Sequence, residues 1–191
     1  MLFTLLGIAS ALLFIVGNVP YLTDTLQAKT KPHRITWGVV ALLYGIGFAN
    51  QYASGATNSL WLFAASTLVV GVVFLVSLRN GVGGRSGTDI ACLTISLTGV
   101  ALWALLKSPL YSILANIIAN AAALWPSYQK AKKDPESETR ISWLVETISL
   151  ALAAISVGKL DWQLLLLPVA SIILQSYMVY ILYVQAPGTA K

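Results

Sequence analysis

The sequence has few charged residues, one cysteine and one histidine, and these shortages exclude several classes of protein. Asp, Glu, Lys and Arg make up 10% of the 191 residues, whereas a soluble domain carries about a quarter. The single Cys92 excludes an internal disulfide and a site built from several thiols. His33 lies beside Lys31 and Arg34, without the Cys, His or carboxylate neighbours that a metal requires. We therefore expect no metal and no cofactor.

Motifs of known enzyme classes are also missing. The chain has no metalloprotease motif, no nucleophile elbow and no pair of carboxylates placed for acid and base catalysis. The glycine-rich stretch 80–87 follows an apolar run and lacks the lysine and hydroxyl residue that end a P-loop, so we interpret it as a flexible linker. Lys107 and Lys159 fall at the ends of apolar runs, which argues against a retinal Schiff base. We expect a protein that is not an enzyme.

Long apolar runs are what the sequence does contain. Hydrophobic residues make up 57% of the chain, and its mean hydropathy is +0.77. A helix needs about 20 apolar residues to cross the hydrocarbon core of a bilayer, and each span must satisfy its own backbone hydrogen bonds. The pattern predicts an all-α integral membrane protein with seven transmembrane helices. The predicted spans are Leu2–Val19, Ile35–Ala53, Leu60–Leu78, Ile90–Leu106, Leu110–Trp125, Ile141–Val157 and Trp162–Val184.

The basic residues predict an orientation in the membrane. Basic loops remain on the cytoplasmic side of a membrane. Ten basic residues lie in the loops after spans one, three and five and in the tail, whereas the loops on the other side contain only Lys107 and Lys159. We therefore expect an outer amino terminus and a cytoplasmic carboxyl terminus in a plasma (inner) membrane. The net charge of +5 then attracts the chain to anionic lipid head groups. We expect no nucleic acid partner. The residues on the predicted cytoplasmic side are Lys29, Lys31, Arg34, Arg79, Arg85, Lys130, Lys132, Lys133, Arg140 and Lys191.

A sequence repeat divides the chain. Pro20, the pair Arg34-Ile35 and Trp37 return 106 positions later as Pro126, Arg140-Ile141 and Trp143. Each copy joins two apolar runs, and we interpret the chain as a duplicated membrane unit. The first unit contains spans one to three (1–79), and the second contains spans five to seven (108–191). The linker and fourth span (80–107) let both units enter the membrane in the same direction.

This three-plus-one-plus-three pattern, with a proline near the inner end of each unit's first span and a basic loop after it, resembles the PQ-loop and SWEET-like superfamily. The resemblance implies two parallel three-helix bundles, joined by a linker helix, that carry a solute by alternating access. It also implies that Pro20 and Pro126 act as hinges of an inner gate; the alternative is that each proline ends its helix. This chain has Pro20-Tyr21 and Pro126-Ser127 where the family often has Pro-Gln.

Polar residues inside the predicted spans indicate a binding site, because they are costly in lipid and usually face a cavity or a partner. Glu146 is the one acidic residue well inside an apolar run, and small or polar residues recur with it on one face of the sixth span at Ser142, Ser149, Ala153 and Ser156. Glu146 could bind a proton or cation, or pair with Arg34, Arg140 or a loop lysine. The two asparagines of span five could contact a ligand or join helices. Our predicted substrate-binding residues are Tyr44, Asn116, Asn120, Glu146 and Gln175.

Two other groups of residues have a simpler interpretation. The charged loop 130–138 is predicted to be a solvated connection. The tryptophans near span ends are predicted to anchor the helices at the membrane interface. These are Trp37, Trp125, Trp143 and Trp162.

The sequence as a whole predicts a transporter of a small polar solute, such as a sugar, an amino acid or a vitamin. Glu146 is the candidate for proton coupling. The alternative is a binding or sorting receptor on the same scaffold that moves nothing across. Expected partners are the solute and the lipid bilayer, and self-association into a homo-oligomer stays open.

Overall fold

The computed structural model describes residues 1–105 and 109–185, which form an all-α protein. Seven α-helices follow one another within these two ranges, with a 3-10 turn at Pro135–Ser137 and a π-turn at Ile181–Gln185. The α-helices are α1 Leu2–Leu26, α2 Arg34–Ala53, α3 Leu60–Asn80, α4 Gly87–Leu105, α5 Pro109–Lys133, α6 Arg140–Ser156 and α7 Trp162–Tyr180.

Each apolar run of the sequence forms one of these helices. The starts of two helices are fixed by side chains that accept backbone hydrogen bonds. Asp161 accepts from the amides of Gln163 and Leu164 at the start of α7. At the start of α4, Ser86 accepts from the Asp89 amide while Asp89 accepts from the Ser86 amide, which is a capping box. Stretch 80–87, predicted to be a flexible linker, is therefore held to α4 by hydrogen bonds.

The helices pack in a closed ring with one helix outside it. Helix α3 packs against both α1 and α2, and α7 packs against both α5 and α6. Two further contacts close the ring, one between α1 and α6 and one between α2 and α5. Helix α4 packs mainly against α5. The ring therefore has an interior that helices from both halves of the sequence enclose.

The loops 27–33, 81–86 and 134–139 meet at one end of the ring, which we call the basic end. The Lys31 amide donates to the Ser137 carbonyl (3.0 Å), and the Arg34 amide donates to the Val82 carbonyl (2.9 Å). Loops 54–59 and 157–161 lie at the other end, which we call the opposite end. Lys107 and Lys191, which contribute to the predicted orientation, lie outside the described residues, as does the predicted boundary at 107/108.

Three of the described helical segments are long and apolar enough to cross a membrane: Leu2–Leu26, Leu60–Asn80 and Trp162–Gln185. Large apolar side chains also cover much of the outer surface of the ring. Leu68 is 73% exposed, for example, and Ile118 is 61% exposed. Such a surface favours a membrane setting, because soluble proteins rarely expose contiguous apolar areas of this extent.

Candidate functional site

Two small cavities adjoin each other inside the ring. Each has a volume of about 10 Å³, which is room for about one water molecule. Every residue that lines them is buried, so both lie in the closed interior. Cavity 1 is lined by Val40, Leu43, Tyr44, Phe63, Asn116, Asn120, Leu167 and Ser171. Cavity 2 is lined by Thr36, Trp37, Val40, Tyr44, Val70, Leu124, Trp143, Glu146 and Gln175.

The five predicted substrate-binding residues all line these cavities, although they come from four helices. Asn116 and Asn120 of α5 line cavity 1, and Glu146 of α6 and Gln175 of α7 line cavity 2. Tyr44 of α2 lines both. The structure thus places them together at the junction of the two halves of the chain.

Glu146 lies in the interior with 2% of its surface exposed, and a side-chain amide donates to its carboxylate. Gln175 donates its side-chain N–H to Glu146 Oε2 at 3.0 Å. The Asn18 side chain of α1 lies near this carboxyl group and donates to the Phe14 carbonyl at 2.9 Å. Two of the cations considered as partners are bound elsewhere: Arg34 donates to the Ser77 carbonyl and Lys130 contacts Glu138. The carboxyl group therefore faces cavity 2 with amide neighbours.

The polar face of α6 is buried as the sequence predicts. Ser142, Glu146, Ser149, Ala153 and Ser156 are all buried. Much of this face packs against α1, where the Ser149 hydroxyl donates to the Ser10 carbonyl at 2.6 Å. The stripe therefore joins helices along most of its length and meets a cavity at Glu146.

The two asparagines of α5 differ in their hydrogen bonds. Asn116 donates to the Leu43 carbonyl of α2 at 3.1 Å, so it joins two helices as well as lining cavity 1. Asn120 is 9% exposed, and its side-chain oxygen has no hydrogen-bond partner among the described residues. A buried acceptor of this kind costs about 1–3 kcal/mol unless a water or ligand supplies a donor. Asn120 is the better ligand candidate of the two.

Both hinge candidates lie within helices that continue beyond them. Pro20 is followed by helix to Leu26, and Pro126 is followed by helix to Lys133. Neither proline ends its helix, so that alternative is wrong. Each proline still removes a backbone donor one or two turns before the basic end.

A hydrogen-bonded aromatic cluster lies between cavity 2 and the basic end. Glu138 Oε2 accepts from the Tyr21 hydroxyl (3.1 Å) and from the Trp143 indole (2.9 Å). The Trp37 indole donates to the Tyr21 hydroxyl (3.0 Å), and the two indole rings are 5.9 Å apart. Lys130 Nζ lies 2.7 Å from Glu138 Oε1 and compensates the buried charge. We call these five residues the gate cluster.

The gate cluster corrects two predictions. Glu138 is 4% exposed, so the loop 130–138 is wrongly described as a solvated connection at this residue. Trp37 and Trp143 are 3% and 2% exposed, and they line cavity 2 instead of anchoring helices at the surface. Trp125 and Trp162 are about half exposed, as an interfacial position requires.

His33 has a carboxylate partner that its sequence neighbours do not show. His33 Nε2 lies 3.2 Å from Asp89 Oδ1 at the start of α4. Burial lowers the pKa of His33, although the Asp89 charge opposes that shift. Within residues 1–105 and 109–185, no group of three or more His, Cys, Asp or Glu side chains could hold a metal ion.

At the opposite end, two side chains join the halves of the chain. Gln51 donates to the Leu164 carbonyl (3.0 Å), and Asn58 donates to the Ser156 carbonyl (3.2 Å). Gly7 of α1 lies so close to the Asn58 carbonyl that a side chain there would overlap the oxygen. These contacts close the ring on that side.

Sequence reasoning missed Asn18, a buried polar side chain of α1 that lies near the carboxyl group of Glu146. A signal was present: Ser10, Phe14, Asn18, Tyr21 and Thr25 follow helical spacing and are all buried.

Comparisons with protein-family models, with curated proteins and with solved structures found no match.

Proposed function

We propose that this chain is a seven-span membrane carrier that moves a small polar solute between two three-helix units. The first unit is α1 to α3, the second is α5 to α7, and α4 links them. In this proposal the basic end faces the cytoplasm, and the solute binds at the seam where the units meet. The observation that carries the proposal is the meeting of buried polar side chains from both units around closed cavities at this seam.

Paired contacts across the seam support two related units. Ser149 of α6 donates to the Ser10 carbonyl of α1, and Asn116 of α5 donates to the Leu43 carbonyl of α2. Adding the repeat spacing of 106 to Ser10 leads to Asn116, and subtracting it from Ser149 leads to Leu43. The two contacts therefore join equivalent pairs of positions, although the donor and the acceptor are exchanged between them. This is the relation that a rotation exchanging parallel units would produce.

Closure on both sides supports alternating access. The gate cluster lies between cavity 2 and the basic end, and the bonds of Gln51 and Asn58 join the units at the opposite end. A cavity of one water's volume holds no solute of the expected size, so the units must separate for binding. We assign this structure to the closed state. To leave this state, α1 and α5 would bend at Pro20 and Pro126 and open the gate cluster.

A sorting receptor is the alternative function for the same scaffold. Such a receptor keeps its site open toward one face, because its ligand enters and leaves on the same side. The cavities described here are enclosed by buried residues, which favours the carrier.

Uptake into vesicles tests the proposal. The purified protein in proteoliposomes would be offered radiolabelled hexoses, neutral amino acids and B vitamins, with and without a pH gradient. We expect saturable uptake of at least one solute and faster uptake along a proton gradient. If none of these solutes enters faster than into empty vesicles, the carrier proposal is wrong.

Replacing Glu146 tests proton coupling in the same assay. Glu146→Gln keeps the shape and one hydrogen-bonding oxygen but cannot bind or release a proton. We expect this variant to take up solute at the rate that wild type shows without a gradient, and to gain nothing from the gradient. Glu136→Gln is the matched control, since Glu136 is an exposed loop residue. Equal gradient dependence in all three proteins would remove Glu146 from the mechanism.

A further inference from the structure

Tyr44 occupies a special position because it lies between the two cavities. Tyr44 and Val40 are the two residues that line both. The Tyr44 ring is held between Phe14 of α1, at 6.0 Å between centroids, and Phe63 of α3, at 6.3 Å. The ring is thus fixed by its own unit while it forms the wall between the cavities.

The two cavities differ in their chemistry. Cavity 1 has uncharged lining residues throughout, and its polar groups are the Asn116 and Asn120 amides and the Ser171 and Tyr44 hydroxyls. The partnerless oxygen of Asn120 requires a hydrogen-bond donor. Cavity 2 contains the carboxyl group of Glu146 beside the Gln175 amide. A neutral solute with N–H or O–H groups suits the first cavity, and a proton suits the second.

A chain of polar contacts joins the wall to the carboxyl group. The Gln175 side chain lies near the Tyr44 hydroxyl on the wall of cavity 2, and its amide donates to Glu146 at 3.0 Å. Other titratable groups that act on Glu146 are Glu138, which precedes α6, and Tyr21 on α1. Glu138 is itself paired with Lys130. A movement of the Tyr44 ring would therefore change the surroundings of the Glu146 carboxyl group through Gln175.

We propose that Tyr44 separates two occupants of the seam: an uncharged hydrogen-bonding solute beside Asn120 and a proton on Glu146. This inference rests on the proposed carrier function. Glu146 binds a proton from the side to which the seam is open and releases it on the other. The Tyr44 ring prevents water in the two cavities from joining into a path, so that protons cross with the solute and not without it.

Proton leak without any solute tests this separation. The protein would be reconstituted into vesicles that contain a pH-sensitive dye, and internal acidification would be followed after the external pH is lowered. Tyr44→Leu removes the ring, and we expect it to leak protons several-fold faster than wild type. Tyr44→Phe keeps the ring, and we expect a leak equal to that of wild type. The double variant Tyr44→Leu/Glu146→Gln should lose the added leak, because the proton then has no acceptor.

Leu150→Ala is the matched control, since Leu150 is the position equivalent to Tyr44 in the second repeat, is fully buried and lines neither cavity. It should leave the leak unchanged. Where Tyr44→Leu does not fold, Tyr44→Met removes the ring with a more adaptable side chain. The inference would be overturned if vesicles containing Tyr44→Leu or Tyr44→Met leaked protons no faster than vesicles containing wild type. It would also be overturned if the added leak persisted in the double variant Tyr44→Leu/Glu146→Gln. Failure of the carrier function is distinct from both, because it shows as absent solute uptake by wild type.

Discussion

Lys130 and Glu138 show how a single buried charge pair affects the basic end. The Glu138 carboxylate is fully buried, and Lys130 is the cation in contact with it. Lys130 Nζ also donates to the carbonyls of Lys31 and Ser137, so one ammonium group holds two loops together. An uncompensated buried charge is costly, whereas removal of both charges costs much less.

Lys130→Ala should therefore destabilise the protein by about 3–5 kcal/mol, because it leaves the Glu138 charge without its partner. Unfolding of the purified protein by SDS titration in detergent would measure this. Lys133→Ala, an exposed change in the same helix, should fall within about 0.5 kcal/mol of wild type. Lys130→Met/Glu138→Gln should recover most of the loss. Equal unfolding midpoints for Lys130→Ala and Lys133→Ala would show that the pair contributes nothing.

His33 should make stability depend on pH below neutrality. Its pKa in the folded protein is lowered from 6.5, chiefly by burial, so the unfolded chain takes up a proton first as the pH falls. A group whose unfolded state binds more protons loses stability as the pH decreases. The loss should begin as the pH falls through about 6.5 and level off below the folded pKa.

The melting temperature of the protein in detergent between pH 8 and 5 measures this effect. His33→Asn should show a flatter profile, because asparagine does not titrate and suits the position before α2. Identical slopes for the two proteins would mean that His33 titrates equally in the folded and unfolded states.

At the scale of helices, close approach between α1 and α6 depends on glycine. A side-chain carbon added at Gly17 would lie 2.4 Å from Val145 Cγ1, whereas one added at Gly71 of α3 would meet nothing within 4 Å. Valine is branched at Cβ and has little freedom to move aside. The α1–α6 contact joins the two proposed units, so its spacing matters for closure of the ring.

Gly17→Ala should destabilise the protein by about 1–3 kcal/mol, as overpacking of a tight core does. Gly71→Ala should be neutral or stabilising by up to about 1 kcal/mol, because alanine favours the helix more than glycine does. SDS-induced unfolding again provides the measurement. Gly17→Ala/Val145→Ala should recover part of the loss by making room. If Gly17→Ala and Gly71→Ala behave alike, the helices do not approach as closely as described.

The existence of the helices could be predicted from the apolar runs, but two of their ends could not. The predicted spans stop at Val19 and Trp125, just before the prolines, whereas α1 and α5 continue to Leu26 and Lys133. A proline removes one donor, and tertiary contacts of the next turns compensate. In α1 the buried Tyr21 reaches Glu138, which is 117 residues away. Local sequence pattern carries no information about such a contact.

At the scale of the whole molecule, the same limit explains which site residues could be predicted. Tyr44, Asn120 and Gln175 stand out because a polar side chain inside an apolar run is unusual. Glu138 does not, because it lies in a charged loop, and its burial results from the meeting of that loop with α1, α5 and α6. Periodicity finds groups on one helix, whereas a cluster built from four helices and a loop depends on the packed structure.

In the proposed carrier, the seam around Asn120 opens to each side of the membrane in turn, and thiol labelling of this position detects each opening. Asn120→Cys would be made in a Cys92→Ser background, which leaves a single thiol. A membrane-impermeant maleimide would be applied to right-side-out and inside-out vesicles. Leu68→Cys on the apolar outer surface and Glu136→Cys in the exposed basic-end loop are the controls.

We predict that Asn120→Cys reacts from both sides, more slowly than Glu136→Cys reacts from its own side, while Leu68→Cys does not react. Reaction of Asn120→Cys from one side alone would indicate a receptor, and no reaction from either side would contradict a solute path through the seam.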